Sequence, residues 1–385
     1  MTPAARVQAS IEILDDILAG APVEKALTGW ARRSRFAGSK DRAAVRDHVF
    51  QALRCKRSFA ALGGSDTGRG LMIGALRAGG EAPEALFTGE RHAPEPLVEA
   101  DATRAFQSDA ERYDIPEWLW PRFQASLGDQ AEAAAQVLQS RAPVHLRANL
   151  AKTDRAGAIA SLAVEGIKAQ PHPACDTALE VTEGARKIAQ SRAYNDGLVE
   201  LQDAASQAVV EALELRPGLR VLDYCAGGGG KSLALAAHKG VKVYAHDVNI
   251  GRMRDLPARA ERAGVRVTCL APEEVSKQAP FDIVLTDAPC SGSGSWRRAP
   301  AGKWALTEEG LGALNDLQSE IIGKAAQLVG PGGVLAYATC SMLECENGAI
   351  VDKFRQDNPD WTETFRKTWL VTHGADGFFS VHLTR

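Results

Sequence analysis

With 385 residues, 45% of them hydrophobic, the chain has material for two or three buried cores, and a formal net charge of −3 means that it is no polycation. Its seven cysteines, at positions 55, 175, 225, 269, 290, 340 and 345, form no CxxC pair and no zinc spacing. That excludes a disulfide framework or structural zinc and points to reduced thiols in the cytoplasm. No apolar run of about 18 residues is present, and the opening residues read as an amphipathic helix rather than a signal peptide, so neither a membrane span nor export is expected.

Residues 1 to about 75 read as helices, with Val7, Ile11, Leu14, Ile17 and Leu18, then Val45, Val49 and Leu53, at helical spacing. Up to residue 60 there are eleven Lys/Arg against six Asp/Glu, a local net of +5, concentrated in "RRSRFAGSKDR" (32–42). Charge alone leaves two readings open: a solvated helical face, or a grip on phosphates. Residues 80–100 carry three prolines and several acids and read as an irregular connection. Helical signals resume through "EWLWPRFQASLGDQAEAAAQVLQS". A strand follows at "VHLRANL" and a helix at 154–165, in a small α/β segment ending near 195.

From about 198 strands alternate with helices: strands at 219–224, 241–246, 265–270, 281–286 and 333–338, helices at 230–238, 249–263 and 307–328, and a last strand in "GFFSVHLTR". This pattern predicts a mostly parallel, doubly wound α/β sheet. The stretch "VLDYCAGGGGKS" (221–232) resembles a phosphate loop ending in Lys-Ser, but the first glycine of such a loop would fall at 225, which is Cys225. A strand ending in Asp223 and followed by a glycine turn instead fits a ligand lying beyond the strand ends. The next strand ends in Asp247, an acid placed to accept ribose hydroxyls. These features do not distinguish NAD from S-adenosylmethionine. Two later strands carry a cysteine just past their ends, in "TDAPCSGSG" (Cys290) and "YATCS" (Cys340), and packing alone does not account for both. His172, His246 and His373 show no metal-ligand spacing, and no metal is expected.

At "CAGGGGK", "DAPCSG" and "TCS" the chain resembles the Fmu/Sun (RsmB-like) family of RNA cytosine-5 methyltransferases. "LVELQDAASQ", "RRAPAGKW", "LECEN" and "DGFF" extend the likeness through the last half of the chain, and "IPEWLW" and "LRANLAK" extend it to the segment before. The helical start more faintly resembles a NusB-like RNA-binding domain. The resemblance implies four parts: 1–80 NusB-like, 81–112 linker, 113–197 a small RNA-binding α/β region, and 198–385 a Rossmann-like class I methyltransferase domain. It further implies S-adenosylmethionine as cofactor, RNA (16S ribosomal RNA first, tRNA as the alternative) as partner, and a monomer. Cys340 is expected as nucleophile on C6 of the base, Cys290 as the group that helps remove the C5 proton and release Cys340, Asp287 as a hydrogen-bond partner of the base, and Lys231 as either a base contact or a cap of the glycine loop. The expected cofactor contacts are Cys225, Ala226, Gly227, Gly228, Gly229, Gly230, Lys231, Asp247, Arg252 and Asp287. The expected RNA contacts are Arg32, Arg33, Arg35, Arg147, Arg297, Arg298 and Trp304.

Two departures stand out. Gly227 and Gly228 replace the family's Ala-Pro, which predicts a loop more mobile before ligand binds. The acid after strand three is missing: "CLAP" puts Ala271 and Pro272 there, leaving Glu273 or Glu274 to substitute. A nicotinamide dehydrogenase would leave both cysteines unexplained. A catalytically silent RNA-binding relative is the other alternative.

Overall fold

The computed structural model describes residues 1–385, and the chain divides into two compact units, Met1–Arg141 with Trp296–Ala305, and Ala142–Ser295 with Leu306–Arg385. The first is helical: α1 Pro3–Leu18, α2 Val23–Arg33, α3 Ser39–Arg54, α4 Lys56–Gly63 and α5 Gly68–Ala78. Thr2 caps α1 through its hydroxyl, and the apolar positions expected from periodicity, Val7, Ile11, Leu14, Val45, Val49 and Leu53, all enter one core. The proline-rich connection is pinned, not loose. Arg69 bonds the Asp101 carboxylate and the carbonyls of Glu95 and Pro96, and Phe87 is buried in the core. Helices Asp109–Arg112, Trp120–Leu127 and Ala131–Leu138 also belong to this unit. The boundary between the two compact units falls at 141/142.

The second unit holds two sheets. The smaller has strand order β2-β3-β1-β4, all antiparallel: β1 Val144–Ala148, β2 Lys168–Pro171, β3 Ala178–Glu183 and β4 Val199–Leu201. Its core is Leu146, Leu162, Ile167, Leu179, Ile188 and Val199. The larger sheet contains β5 Arg220–Asp223, β6 Lys242–His246, β7 Val267–Leu270, β8 Phe281–Asp287, β9 Val329–Thr339, β10 Thr362–Trp369 and β11 Phe378–Thr384. Its order is β10-β11-β9-β8-β5-β6-β7, parallel from β7 to β9, with β11 and β10 antiparallel. All five parallel strands fall where alternation predicts them. The chain runs from β5 outward through β6 and β7, then returns to the other side of β5 as β8. That reversal is the switch point at which ligands bind doubly wound sheets. No helix is long and apolar enough to cross a membrane.

Candidate active site

The register of β8 on β9 sets the site. Asp287 lies opposite Ala338, and Ala288 N–H donates to the Ala338 carbonyl at 2.9 Å. Both chains then run on past the sheet edge, and Gly294 N–H donates to the Cys340 carbonyl at 3.0 Å. The result brings the Cys290 and Cys340 sulfurs to 3.4 Å, both as free thiols. A hydrogen bond with Cys340, then burial, then the neighbouring Cys340 and Glu346 charges hold the Cys290 thiol well above its usual range.

One cavity of about 490 Å³ is lined by Cys225, Ala226, Gly227, Gly228, Gly230, Lys231, Arg252, Asp287, Cys290 and Cys340. Ten of the expected residues thus share one space. Lys231, 5% exposed at the start of helix Gly230–Ala236, donates from Nζ to Asp287 at 2.7 Å, and it lies 4.9 Å from the centre of the Phe378 ring. Gly229 does not line the cavity. Its φ is +80°, and a Cβ there would collide with the Leu256 side chain, so the turn requires glycine.

Asp247 lies in an adjoining cavity of about 470 Å³ with Tyr224, His246, Val248, Pro272, Val275 and Leu317; Cys225 and Arg252 line both spaces. The Asp247 carboxylate is already engaged: it accepts the N–H groups of Gly227 and Asn249, both at 2.9 Å, and pairs with Arg252 at 3.2 Å. It therefore fixes the glycine turn to β6 as well as facing the ligand space. Glu274 turns back to accept the Ala271 N–H at 2.8 Å, so it caps its own helix instead of reaching into the cavity. The walls beyond β7 are Pro272, Val275 and the exposed Ser276.

Two residues of weight carry no motif that marks them. Asp223 ends β5, is fully buried, accepts Ser232 Oγ at 2.6 Å on one oxygen, and has no partner on the other. Burial, with added repulsion from Asp287, pushes its carboxyl up to about 6 against the Ser232 hydrogen bond. Glu346, inside "LECEN", is fully buried and joins the two cysteine loops. A strand-end acid before a glycine turn was the available signal for Asp223; Glu346 had none beyond the resemblance.

Two of the expected RNA contacts are corrected by burial, and Trp304 is half-buried with its indole engaged. Arg147, 5% exposed on β1, donates to the Gly230 carbonyl at 2.8 Å and bonds Gln202, so it braces the glycine turn's helix. Arg297 is 3% exposed, and its carbonyl accepts Arg54 Nε at 2.7 Å. The Trp304 indole donates to the Leu53 carbonyl at 2.6 Å. Segment Trp296–Ala305 is thus built into the helical unit, where Lys303, fully buried, donates to the Arg54 carbonyl at 3.0 Å and is pushed down to about 8 by burial. Arg298 is half-buried beside it. Arg32, Arg33 and Arg35 are exposed; Arg32 and Arg35, with Arg42 and Arg46, line a groove of about 590 Å³ on the helical unit, and Phe36 stands 77% exposed in the same segment.

A doubly wound sheet, a glycine turn at its switch point and an acid closing the second strand define a Rossmann-like fold with a nucleoside-sized site. The profile of the family 16S rRNA methyltransferase RsmB/F matches residues 210–382, and that of the RsmF/B-like ferredoxin-like domain matches residues 115–186. Among curated relatives, ribosomal RNA small subunit methyltransferase B of Photorhabdus laumondii is 30% identical over 295 residues, covering 72% of this chain and 68% of the relative. Its namesake in Xanthomonas campestris is 35% identical over 263 residues, covering 66% of this chain and 60% of the relative. The chain belongs to the RsmB/F family. The match spans about 60% of the length of several such relatives. Among solved structures, PH0851 superposes with a TM-score of 0.78 at 23% identity over 100% of this chain and 99% of that one. NSun6 from Pyrococcus horikoshii, solved with SFG, gives 0.61 at 17% identity over 70% and 98%. Both likenesses are of fold.

Proposed function

We propose that this chain methylates C5 of a cytosine in RNA, with small-subunit ribosomal RNA as the substrate class and S-adenosylmethionine as donor. The observation that carries the proposal is the thiol pair, 3.4 Å apart, in one cavity with the Lys231–Asp287 pair and the glycine turn. The family to which the chain belongs and the names of its curated relatives point the same way.

The residues fit the donor. Asp223 offers a buried carboxylate oxygen with no protein partner, suited to a cationic group. Asp247 and the apolar walls around Val275 and Leu317 suit a ribose and a base, the latter held by shape because Glu274 is occupied. Bound there, S-adenosylmethionine supplies a methyl group on a sulfonium.

Cytosine C5 is a weak nucleophile until a thiolate adds to C6, and an ordinary thiol at a pKa of about 8.5 is mostly protonated at neutral pH. Cys290, held as a neutral thiol, lies within hydrogen-bond reach of Cys340 at 3.4 Å, and Cys340 is the residue that attacks, as its thiolate. Cys340 Sγ then bonds C6, and C5 becomes electron-rich. Lys231 orients Asp287, whose carboxylate, one-third exposed on the cavity side, holds the base edge. Once Cys340 is a thioether, it no longer opposes ionisation of Cys290. With the methyl group on C5, Cys290 gives its own proton to solvent, takes the C5 proton as a thiolate, and the C5–H electron pair restores the C5–C6 double bond and expels Cys340 as a thiolate. The target base must leave its stack first, at about a few kcal/mol. On the helical unit, Arg32, Arg33, Arg35 and Arg42 supply phosphate contacts, with Phe36 as a stacking face.

The test is nucleoside mass spectrometry of 16S rRNA and tRNA transcripts after incubation with enzyme and isotopically labelled donor. Labelled 5-methylcytidine in the ribosomal transcript is expected. Its appearance only in tRNA would move the substrate class, and donor binding without any methylated cytosine would leave a silent RNA-binding protein.

A further inference from the structure

Glu346 lies behind the two thiols and is absent from the lining of their cavity, so it does not meet the base. Its carboxylate is fully buried and accepts four donors: Ser291 N–H at 2.7 Å and Gln318 Nε2 at 3.0 Å on one oxygen, Ser291 Oγ and Ser341 Oγ on the other. Ser291 follows Cys290 in the chain, and Ser341 follows Cys340. The same Gln318 amide donates to the carbonyl of Pro289 at 2.8 Å, the residue before Cys290. Tyr337 Oη fixes the Glu346 backbone by donating to its carbonyl at 2.7 Å, and Asn347 Nδ2 donates to the Ser341 carbonyl at 3.0 Å.

A buried carboxylate is costly unless every lone pair is met, and here hydroxyls and amides meet them without any cation. Such a group holds geometry more than it adds attraction. Both cysteine-bearing loops leave the sheet edge beyond the last ladder pair, Asp287 on Ala338, so ladder register alone does not fix the sulfurs.

We infer that Glu346 is a positioning residue that sets the separation of the Cys290 and Cys340 thiols through Ser291 and Ser341. Its catalytic consequence rests on the methyltransferase reading above; the separation itself does not. Glu346→Asp keeps the charge but withdraws the carboxylate by one methylene. Glu346→Gln keeps the reach, and serine hydroxyls can turn to accept from its amide. Reach, not charge, is therefore the operative property.

Phenylarsine oxide reads the separation without RNA or donor. Two S–As bonds form, the arsenical oxygen leaves as water with both thiol protons, and no oxidation state changes. Wild-type protein is expected to take up one arsenical, mapped by peptide mass to Cys290 and Cys340. Glu346→Asp and Ser291→Ala should weaken that uptake at least tenfold, and Glu346→Gln should stay within threefold of wild type. In methylation assays Glu346→Asp should lower kcat at least tenfold with little change in KM for RNA, and leave a denaturation-resistant enzyme–RNA band, because Cys290 no longer meets the adduct. Wild-type labelling away from the pair, undiminished uptake in Glu346→Asp, or equal losses in the Asp and Gln variants would overturn the inference. Should Glu346→Asp not fold, Ser291→Ala decides alone. An uptake pattern as expected, with no methylated cytosine from wild type, would sink the functional reading and leave the positioning role standing.

Discussion

Replacing Asp223 by Asn should make the ligand-free protein more stable and its cofactor binding worse. The fully buried carboxyl has one unpartnered oxygen and is pushed from 3.8 up to about 6, chiefly by burial. The folded state therefore binds its proton more tightly than the unfolded chain does. Stability is greatest below the unfolded pKa and falls as pH rises through 3.8 to about 6; above that window the full cost, about 3 kcal/mol, is present. Asn removes the ionisation and keeps an acceptor for Ser232, but it buries an amide N–H at the unpartnered position, at about 1–2 kcal/mol. The net gain at neutral pH is about 1–2 kcal/mol, or roughly 2–4 °C in Tm for a unit of this size. Near pH 5 about half of the ionisation cost is already gone, and the gain should vanish. S-adenosylmethionine should raise the wild-type Tm more than the variant's, and calorimetry should show affinity lower by about 1.5–3 kcal/mol for the lost charged contact. Thermal melts at both pH values, with and without donor, carry the test. A variant that melts lower than wild type by the same margin at both, and binds donor equally well, would refute the placement of a strained carboxylate against the ligand.

Asp247→Ala should weaken donor binding by about 1.5–3 kcal/mol in calorimetry, since it removes both the ligand-facing acid and the acceptor of the Gly227 N–H; unchanged affinity would take Asp247 out of the site. Cys290→Ala should methylate once and stall as a covalent RNA adduct visible on a denaturing gel, and Cys340→Ala should give none; the reverse pattern would exchange their roles. Charge reversal at Arg32, Arg33 and Arg35 to Glu should weaken RNA binding and flatten its salt dependence while donor affinity holds, so equal RNA affinity across salt concentrations would reduce the cluster to solvated surface. Gly229→Ala, at φ +80° against Leu256, should cost about 1–3 kcal/mol of stability, read as a lower melting temperature.

The parallel sheet was legible because its strands are short apolar runs closed by turn residues, and local chemistry decides those. The missed elements are of other kinds. β10 reads "TETFRKTW", an edge strand whose charges hide its alternation. Helix Pro272–Gln278 is only two turns long, started by Pro272 and by Glu274, whose carboxylate accepts the Ala271 N–H. Arg147 and Arg297 were misread because long cationic side chains are presumed solvated. Arg147 is held by the Gly230 carbonyl far along the chain, and no local pattern announces a carbonyl left free to accept.

The two cysteines show the same limit from the opposite side. Their placement at adjacent strand ends could be read residue by residue, yet the two contexts gave no physical reason to rank them. What the structure adds is the surroundings of Cys290: the bond to Cys340, burial, and the charges of Cys340 and Glu346 all oppose its ionisation. Two of those causes depend on Cys340 being free, so adduct formation itself changes the acidity of its neighbour. In the proposed covalent mechanism, one loop geometry would keep Cys290 neutral while Cys340 attacks and would cease to oppose its ionisation once Cys340 is bound to C6.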